Sequence, residues 1–203
     1  MNQPVRSDAA RNRQALIEVA TRLFASAGAD GEPSLRLIAR EAGVGVGTLF
    51  RHFPTREALV EAVYQDQVRR LTTGADDLLA TYPPAQAMRR WMDLFTEWLA
   101  TKNGMLDTLR AMISNQQLGS GHTRTELLAA IDKILAAGRA AGDISAHATS
   151  EDVAAGLIGI FTVAPATSSG EQATRLLDIF MNGLSAPAVG QKAFGLAPAP
   201  DLS

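Results

Sequence analysis

The sequence predicts an all-α protein of about nine helices, and three observations carry that expectation. Apolar residues recur at i, i+3 and i+4 along most of the chain, the spacing of one helix face. Hydrophobic residues make up 46% of the 203, and most of them are alanine and leucine, which favour helices. Aromatic residues are only 5%, and β-branched residues seldom run together, so no large sheet is expected.

Start and stop signals divide this pattern into elements. From Asn12 to Ala27 the stripe Leu16, Val19, Ala20, Leu23 and Phe24 marks a first helix, and Gly28 ends it in the loop GADGEP. Ser34 is placed to cap a second helix with Leu35, Ile38, Ala39 and Ala42 on one face, and Gly43 stops it. A short third helix covers about Gly45 to Phe53, Pro54 breaks it, and Thr55 caps a fourth that ends between Gly74 and Thr81. Pro83-Pro84 opens a fifth, and a sixth covers roughly Met105–Asn115. After the loop GSGH, Thr123-Arg-Thr-Glu126 reads as the capping box of a seventh helix ending near Gly142. Thr149-Ser-Glu-Asp152 starts an eighth that stops at Pro165, and a ninth covers about Glu171 to Leu184. Residues 186–203, rich in Pro, Gly and Ala, read as a disordered tail.

Composition narrows the function. There is no cysteine, so disulfides, thiolate metal sites and thiol redox sensing are excluded, in keeping with a reducing cytoplasm. The N-terminus is polar and lacks the apolar core of a signal peptide, and nowhere do eighteen apolar residues run without a charge. A soluble, cytoplasmic chain with no membrane partner is expected. Net charge is −2, but residues 1–60 hold eight Arg against six acids, while the rest hold 11 basic and 15 acidic residues. All cations of the head are Arg, the side chain shaped for bidentate contact with phosphate or guanine.

The stretch GVGVGTLFRHF (43–53) then decides what kind of head this is. A dinucleotide loop needs a preceding strand and G-x-G-x-x-G, yet the segment before it is helical and the third glycine position is Thr48. A P-loop needs a Lys, and none occurs before Lys102. Helix, glycine-containing turn, helix is the helix-turn-helix of DNA-binding proteins. Small Ala39, Ala42 and Gly47 would allow the two helices to approach, with Val44 and Leu49 filling the angle between them.

These residues resemble a known family. The segment LRLIAREAGVGVGTLFRHFPTREALVEAV (35–63) is similar to the DNA-binding domain of the tetracycline-repressor (TetR) family of bacterial regulators. Ile38, Ala39, Ala42, Gly43, Val44, Gly47, Thr48, Leu49, His52, Phe53 and Leu59 match its motif in order, and LIEVATRLFASAG (16–28) fits the preceding helix. The resemblance implies a three-helix DNA-binding domain over 1–54 and a larger helical ligand-binding and dimerisation domain over 55–185. Gly45 stands where the family usually has a capping Ser or Thr, Phe50 lacks the phenol of the usual Tyr, and Arg56 replaces the usual Lys.

The family would turn Gly45, Val46, Thr48, Arg51 and His52 toward DNA. Arg51 is the candidate for reading guanine, because its fork matches the O6/N7 pair. Thr48 and His52 suit phosphate; the other histidines, His122 and His147, give His52 no metal-ligand spacing. Ser34 and Arg36 should face the DNA backbone, where helix N-termini favour anions, and Arg56 could meet a phosphate. Phe50 faces DNA or core, and Phe53 is expected in the core. Arg11 and Arg13 either brush phosphates or lie on a solvated face.

The stripe Met88, Trp91, Met92, Phe95, Trp98, with Met105 and Met112, reads as core or as the adaptable lining of the ligand cavity that the resemblance implies. Asp107, Arg110, Asn115 and Gln116 are candidate polar anchors. The eighth helix lacks a polar face, so Val153, Gly156, Leu157, Ile160 and Phe161 are buried either within one subunit or, as the resemblance implies, against Leu176, Ile179 and Phe180 across a two-fold axis. The expected protein is a homodimeric regulator, most simply a repressor on an inverted-repeat operator in double-stranded DNA, released by a small apolar or amphipathic effector. No metal or cofactor is expected. A small helical enzyme using the aromatic stripe, a DNA-coating protein and an activator of the same fold are the alternatives.

Overall fold

The computed structural model describes residues 3–27, 31–115, 120–163 and 170–185. Among them the chain forms α1 (Gln3–Ser26), α2 (Leu35–Glu41), α3 (Val46–His52), α4 (Arg56–Thr81), α5 (Pro84–Gly104), α6 (Leu106–Ser114), α7 (Ser120–Ala141), α8 (Ser150–Val163) and α9 (Gly170–Leu184). The all-α expectation holds. The proposed tail, Gln116 and the stop at Pro165 lie outside the described residues.

The caps explain where the helices begin and end. Ser34 and Thr55 each accept from the N–H three residues on, at 3.2 Å, closing the first turns of α2 and α4. At the start of α8 the Thr149 hydroxyl accepts from the Asp152 N–H at 3.1 Å while the Asp152 carboxylate accepts from the Thr149 N–H at 3.2 Å, a complete capping box. Gly43 takes φ +67°, and the N–H groups of Gly43 and Val44 reach back to the Arg40 and Ala39 carbonyls. This is a Schellman end, which a residue with a Cβ would strain.

Two boundaries differ from the sequence reading. Helix α1 starts nine residues before Asn12, at Gln3. Helix α7 begins at Ser120, so Thr123 sits inside it, buried, instead of capping it. A capping-box pattern within a longer helical run leaves the first residue undetermined, because the same Thr can turn inward once upstream residues extend the helix.

Packing joins both halves through one hydrophobic core, from Leu16 and Phe24 of α1 through Leu49 of α3 and Trp91 of α5 to Leu177 and Leu184 of α9. Helix α5 is central and packs on α1, α4, α7 and α9. Its last residue, Gly104, lies so close to α1 that a Cβ there would sit 1.8 Å from the Phe24 carbonyl oxygen. Arg89 ties α5 to α9 by donating to Asp178 at 2.7 Å, and Lys133 ties α7 to Asp76 of α4 at the same distance. Burial opposes the charge on Arg89, yet its bonds to Asp178 and Asp93 hold its pKa above the ordinary arginine value.

Candidate nucleic-acid interface and ligand cavity

Helix α3 separates its residues by face. Leu49 and Phe53 point inward, 0% and 2% exposed, and anchor the helix on the head's core. Val46, Gly47, Phe50 and Arg51 are exposed, Phe50 at 46%, and Thr48 and His52 are half-buried. The His52 ring leans on Phe53 with centroids 6.4 Å apart. Gly45 serves as N-cap with no side chain, its carbonyl receiving the Thr48 and Leu49 N–H groups. Ser34 and Arg36 are exposed at the start of α2, beside this surface in sequence. The acid of α2, Glu41, is paired with Arg40 at 3.0 Å.

Gly47 is not the close-approach joint that its spacing suggested. A Cβ built there meets nothing within 4 Å, so it faces open space and the helix contact is made by Ala39, Val44 and Leu49. On α1, Arg11 pairs with Asp8, and the Arg13 guanidinium lies 5.2 Å from the Phe53 ring centroid, a cation–π contact across the head.

Arg56 departs from the expected phosphate contact. It is half-buried and turned inward, donating to the Glu32 carboxylate at 2.6 and 2.8 Å, to the Pro33 carbonyl at 2.9 Å and to the Thr108 hydroxyl at 3.1 Å. Thr108 of α6 donates in turn to Glu32 from both its hydroxyl, at 2.6 Å, and its N–H, at 2.9 Å. Burial pushes the Glu32 carboxyl up, but the Thr108 bonds and the Arg56 charge outweigh it and hold it below the ordinary 4.5. The loop before α2, the first turn of α4 and the first turn of α6 are thereby tied at one point.

The larger domain contains a cavity of about 340 Å³, within the range of small-molecule sites. Tyr64 of α4, Phe95, Trp98, Leu99 and Lys102 of α5, Thr123, Arg124, Leu127, Leu128 and Ile131 of α7, and Ala154 and Ile158 of α8 line it. Its aromatic wall is continuous, with Phe95 and Trp98 centroids 5.2 Å apart and Tyr64 and Trp98 6.5 Å apart. Of the described residues expected there from sequence, only Phe95 and Trp98 line it. Met88, Trp91, Met92, Met105 and Met112 are buried in the core instead, where the Trp91 indole donates to the Leu71 carbonyl at 2.8 Å. Asn115 is exposed at the end of α6 and takes no part, as do exposed Asp107 and Arg110. Periodicity identifies a buried face but not whether it abuts protein or a void.

One signal for the cavity was present in the sequence. Lys102 falls on the same stripe as Phe95, Trp98 and Leu99, at the i+7 position of an otherwise apolar face. Burial pushes its ammonium below the ordinary 10.5, and its Nζ rests 5.0 Å from the Trp98 ring centroid.

The expected dimer surface splits in two. Val153 and Leu157 are fully buried in the chain's own core, and Gly156 is filled by Phe180 of the same chain, 2.4 Å from where a Cβ would stand. Ile160, Phe161, Leu176 and Phe180 are half-buried. Ile179 and Ile158, at 66% and 54%, are the exposed large apolar residues of α8 and α9 among the described residues. A helix apolar on all sides thus has one side turned in and one turned out.

Comparison with known proteins identifies the architecture. Residues 16–63 match the profile of bacterial regulatory proteins of the tetR family, and residues 83–186 match the C-terminal domain of SbtR-like transcriptional regulators. A crystal structure of a TetR transcriptional regulator from Streptomyces coelicolor is 41% identical, covering 87% of this chain and 99% of its own, with a TM-score of 0.79. The chain belongs to the TetR family. A TetR regulatory protein from Mycobacterium vanbaalenii is 33% identical over 90% of this chain and all of its own, with a TM-score of 0.70. An HTH-type transcriptional regulator of Staphylococcus aureus is 39% identical over 69 residues, which span 37% of that relative's length. This TetR-family chain is a transcriptional regulator with a DNA-binding domain in its head, and the enzyme alternative is set aside. Among the described residues no helix is long and apolar enough to cross a membrane.

Proposed function

We propose that the protein is a cytoplasmic, homodimeric repressor that binds an inverted repeat through α3 and leaves it when a small apolar or amphipathic molecule fills the cavity. The division of α3 carries this reading: Leu49 and Phe53 fix the helix, and Val46, Gly47, Phe50 and Arg51 stand free on its outer face. Arg51 would read guanine, Phe50 would pack on a thymine methyl in place of a phenol–phosphate bond, and the bare backbone at Gly45 and Gly47 would let the helix sit deep in the major groove. Ser34, Arg36, Thr48 and His52 would hold phosphates, which fix register without reading sequence.

A second copy would pair through the outer sides of α8 and α9, around Ile158 and Ile179, bringing two α3 helices to successive major grooves about 34–36 Å apart. Release requires only that the effector favour a conformer with the two heads wrongly spaced, a coupling of about 1–3 kcal/mol. The Glu32–Arg56–Thr108 tie gives that coupling a route from α6 to the head.

Selection of bound fragments from random DNA tests the reading, followed by a screen for compounds that abolish binding. An enriched inverted repeat and at least one releasing compound are expected. Selection without any enriched repeat would overturn it.

A further inference from the structure

The charged groups on the cavity wall, Lys102 and Arg124, only donate, the Thr123 and Tyr64 hydroxyls can donate or accept, and among the described residues no Asp or Glu lines the cavity. The half-buried Lys102 ammonium has the Trp98 ring beside it but no carboxylate among the described residues, and Arg124, which is exposed, has none either. A desolvated cation without a counter-ion, as at Lys102, costs free energy. The ion pairs elsewhere show that the chain can supply acids to its cations: Arg56 has Glu32, Arg89 has Asp178 and Lys133 has Asp76.

We propose that the cavity takes an amphipathic monoanion, a carboxylate-bearing molecule whose head lies toward Lys102 and Arg124 and whose apolar body lies along Phe95 and Trp98. This rests on the effector reading above and adds the charge of the effector to it. A carboxylate is acceptor-only and can receive from several donors at once, which matches a wall with two cations, two hydroxyls and no acid among the described residues. A cationic ligand would meet two like charges with no acid to offset them. A neutral apolar ligand would seal Lys102 further from water and leave it without an acceptor.

Calorimetric titration of the full chain with octanoate, octan-1-ol and octyltrimethylammonium tests this, with operator binding measured in parallel. Octanoate should bind roughly ten- to a hundredfold more tightly than octan-1-ol, the range of a charge-assisted hydrogen bond, and the cation should bind most weakly. K102M, checked for a cooperative thermal melt, should remove most of the octanoate preference and leave the alcohol unchanged; R124Q should remove a smaller part. Equal binding of acid and alcohol, tightest binding of the cation, no binding by any of the three, or an undiminished acid preference in K102M overturns the proposal. If octanoate binds with the stated preference but operator affinity does not change, the anion site stands and the effector reading fails. If a different compound releases the operator while octanoate shows no preference, the effector reading stands and the anion assignment fails.

Discussion

The carboxylate of Glu32 and the guanidinium of Arg56 meet at 2.6 Å, although one belongs to the loop before α2 and the other to the start of α4. R56M would leave Glu32 half-buried with its charge partner gone. A loss of about 1.5–3 kcal/mol is expected, the range for a hydrogen bond to a charged group, read from denaturant unfolding. Because an inward Arg56 touches no DNA, the affinity of the folded variant for random DNA should keep its salt slope. A slope reduced by about one phosphate contact would return Arg56 to the DNA.

Acid should expose the same tie. Glu32 titrates below its ordinary 4.5 in the folded protein, so the folded state holds its carboxylate ionised more strongly than the unfolded state does. Its stabilisation is therefore complete above 4.5 and is lost as pH falls through the lower, folded-state value. Melting temperature measured through the acid range should fall more steeply for the native chain than for E32Q. Parallel curves would show that Glu32 contributes no pH dependence.

Two glycine-to-alanine changes should give opposite results. In G104A the new methyl would collide with the Phe24 carbonyl oxygen, and α5 and α1 must move apart, a loss of about 1–3 kcal/mol or more. In G47A the methyl meets nothing in the protein, and alanine's helix preference should raise stability by up to about 1 kcal/mol. The same methyl would stand on the outward face of α3, so operator affinity should drop even as the melting temperature rises. Unchanged operator affinity would place Gly47 away from the groove.

Arg51 should separate sequence reading from charge. R51A is expected to weaken operator binding by about 1–3 kcal/mol more than binding to random DNA, as judged by competition at fixed salt. Equal losses on both would assign the guanidinium to phosphate.

Ile179 tests the subunit interface. At 66% exposure it contributes little to the chain's own core, so I179D should leave the melt of the isolated chain nearly unchanged. In a dimer built on α8 and α9 the carboxylate would be buried without a partner. Light scattering should then show monomers, and operator binding should fall with them. A dimer that persists at native affinity would move the interface elsewhere.

The head was legible in the sequence because its signals are local. Ser34, Gly43, Pro54 and Thr55 punctuate short helices, and Leu49 and Phe53 declare the inner face by spacing alone. What the sequence left unread depends on contacts between distant residues. Arg56 is turned inward by Glu32, 24 residues earlier, and by Thr108, 52 residues later, and no periodicity encodes such a meeting. The methionines of α5 and α6 have the right spacing for burial, but which buried face borders a void depends on how α7 lies against α5. Val153 and Leu157 were read outward because α8 has no polar side; α7 and α9, packed against it, decide which apolar side is covered.

Gly104 has a mechanical consequence. It follows Lys102 by two positions, about 3 Å along the rod of α5, and its bare Cα is pressed against the main chain of Phe24. Where most helix pairs meet through side chains that can swivel and absorb a shift, these two meet backbone on backbone. On the proposed reading, a ligand that moved Lys102 toward α1 would press on its main chain with little side-chain give between them.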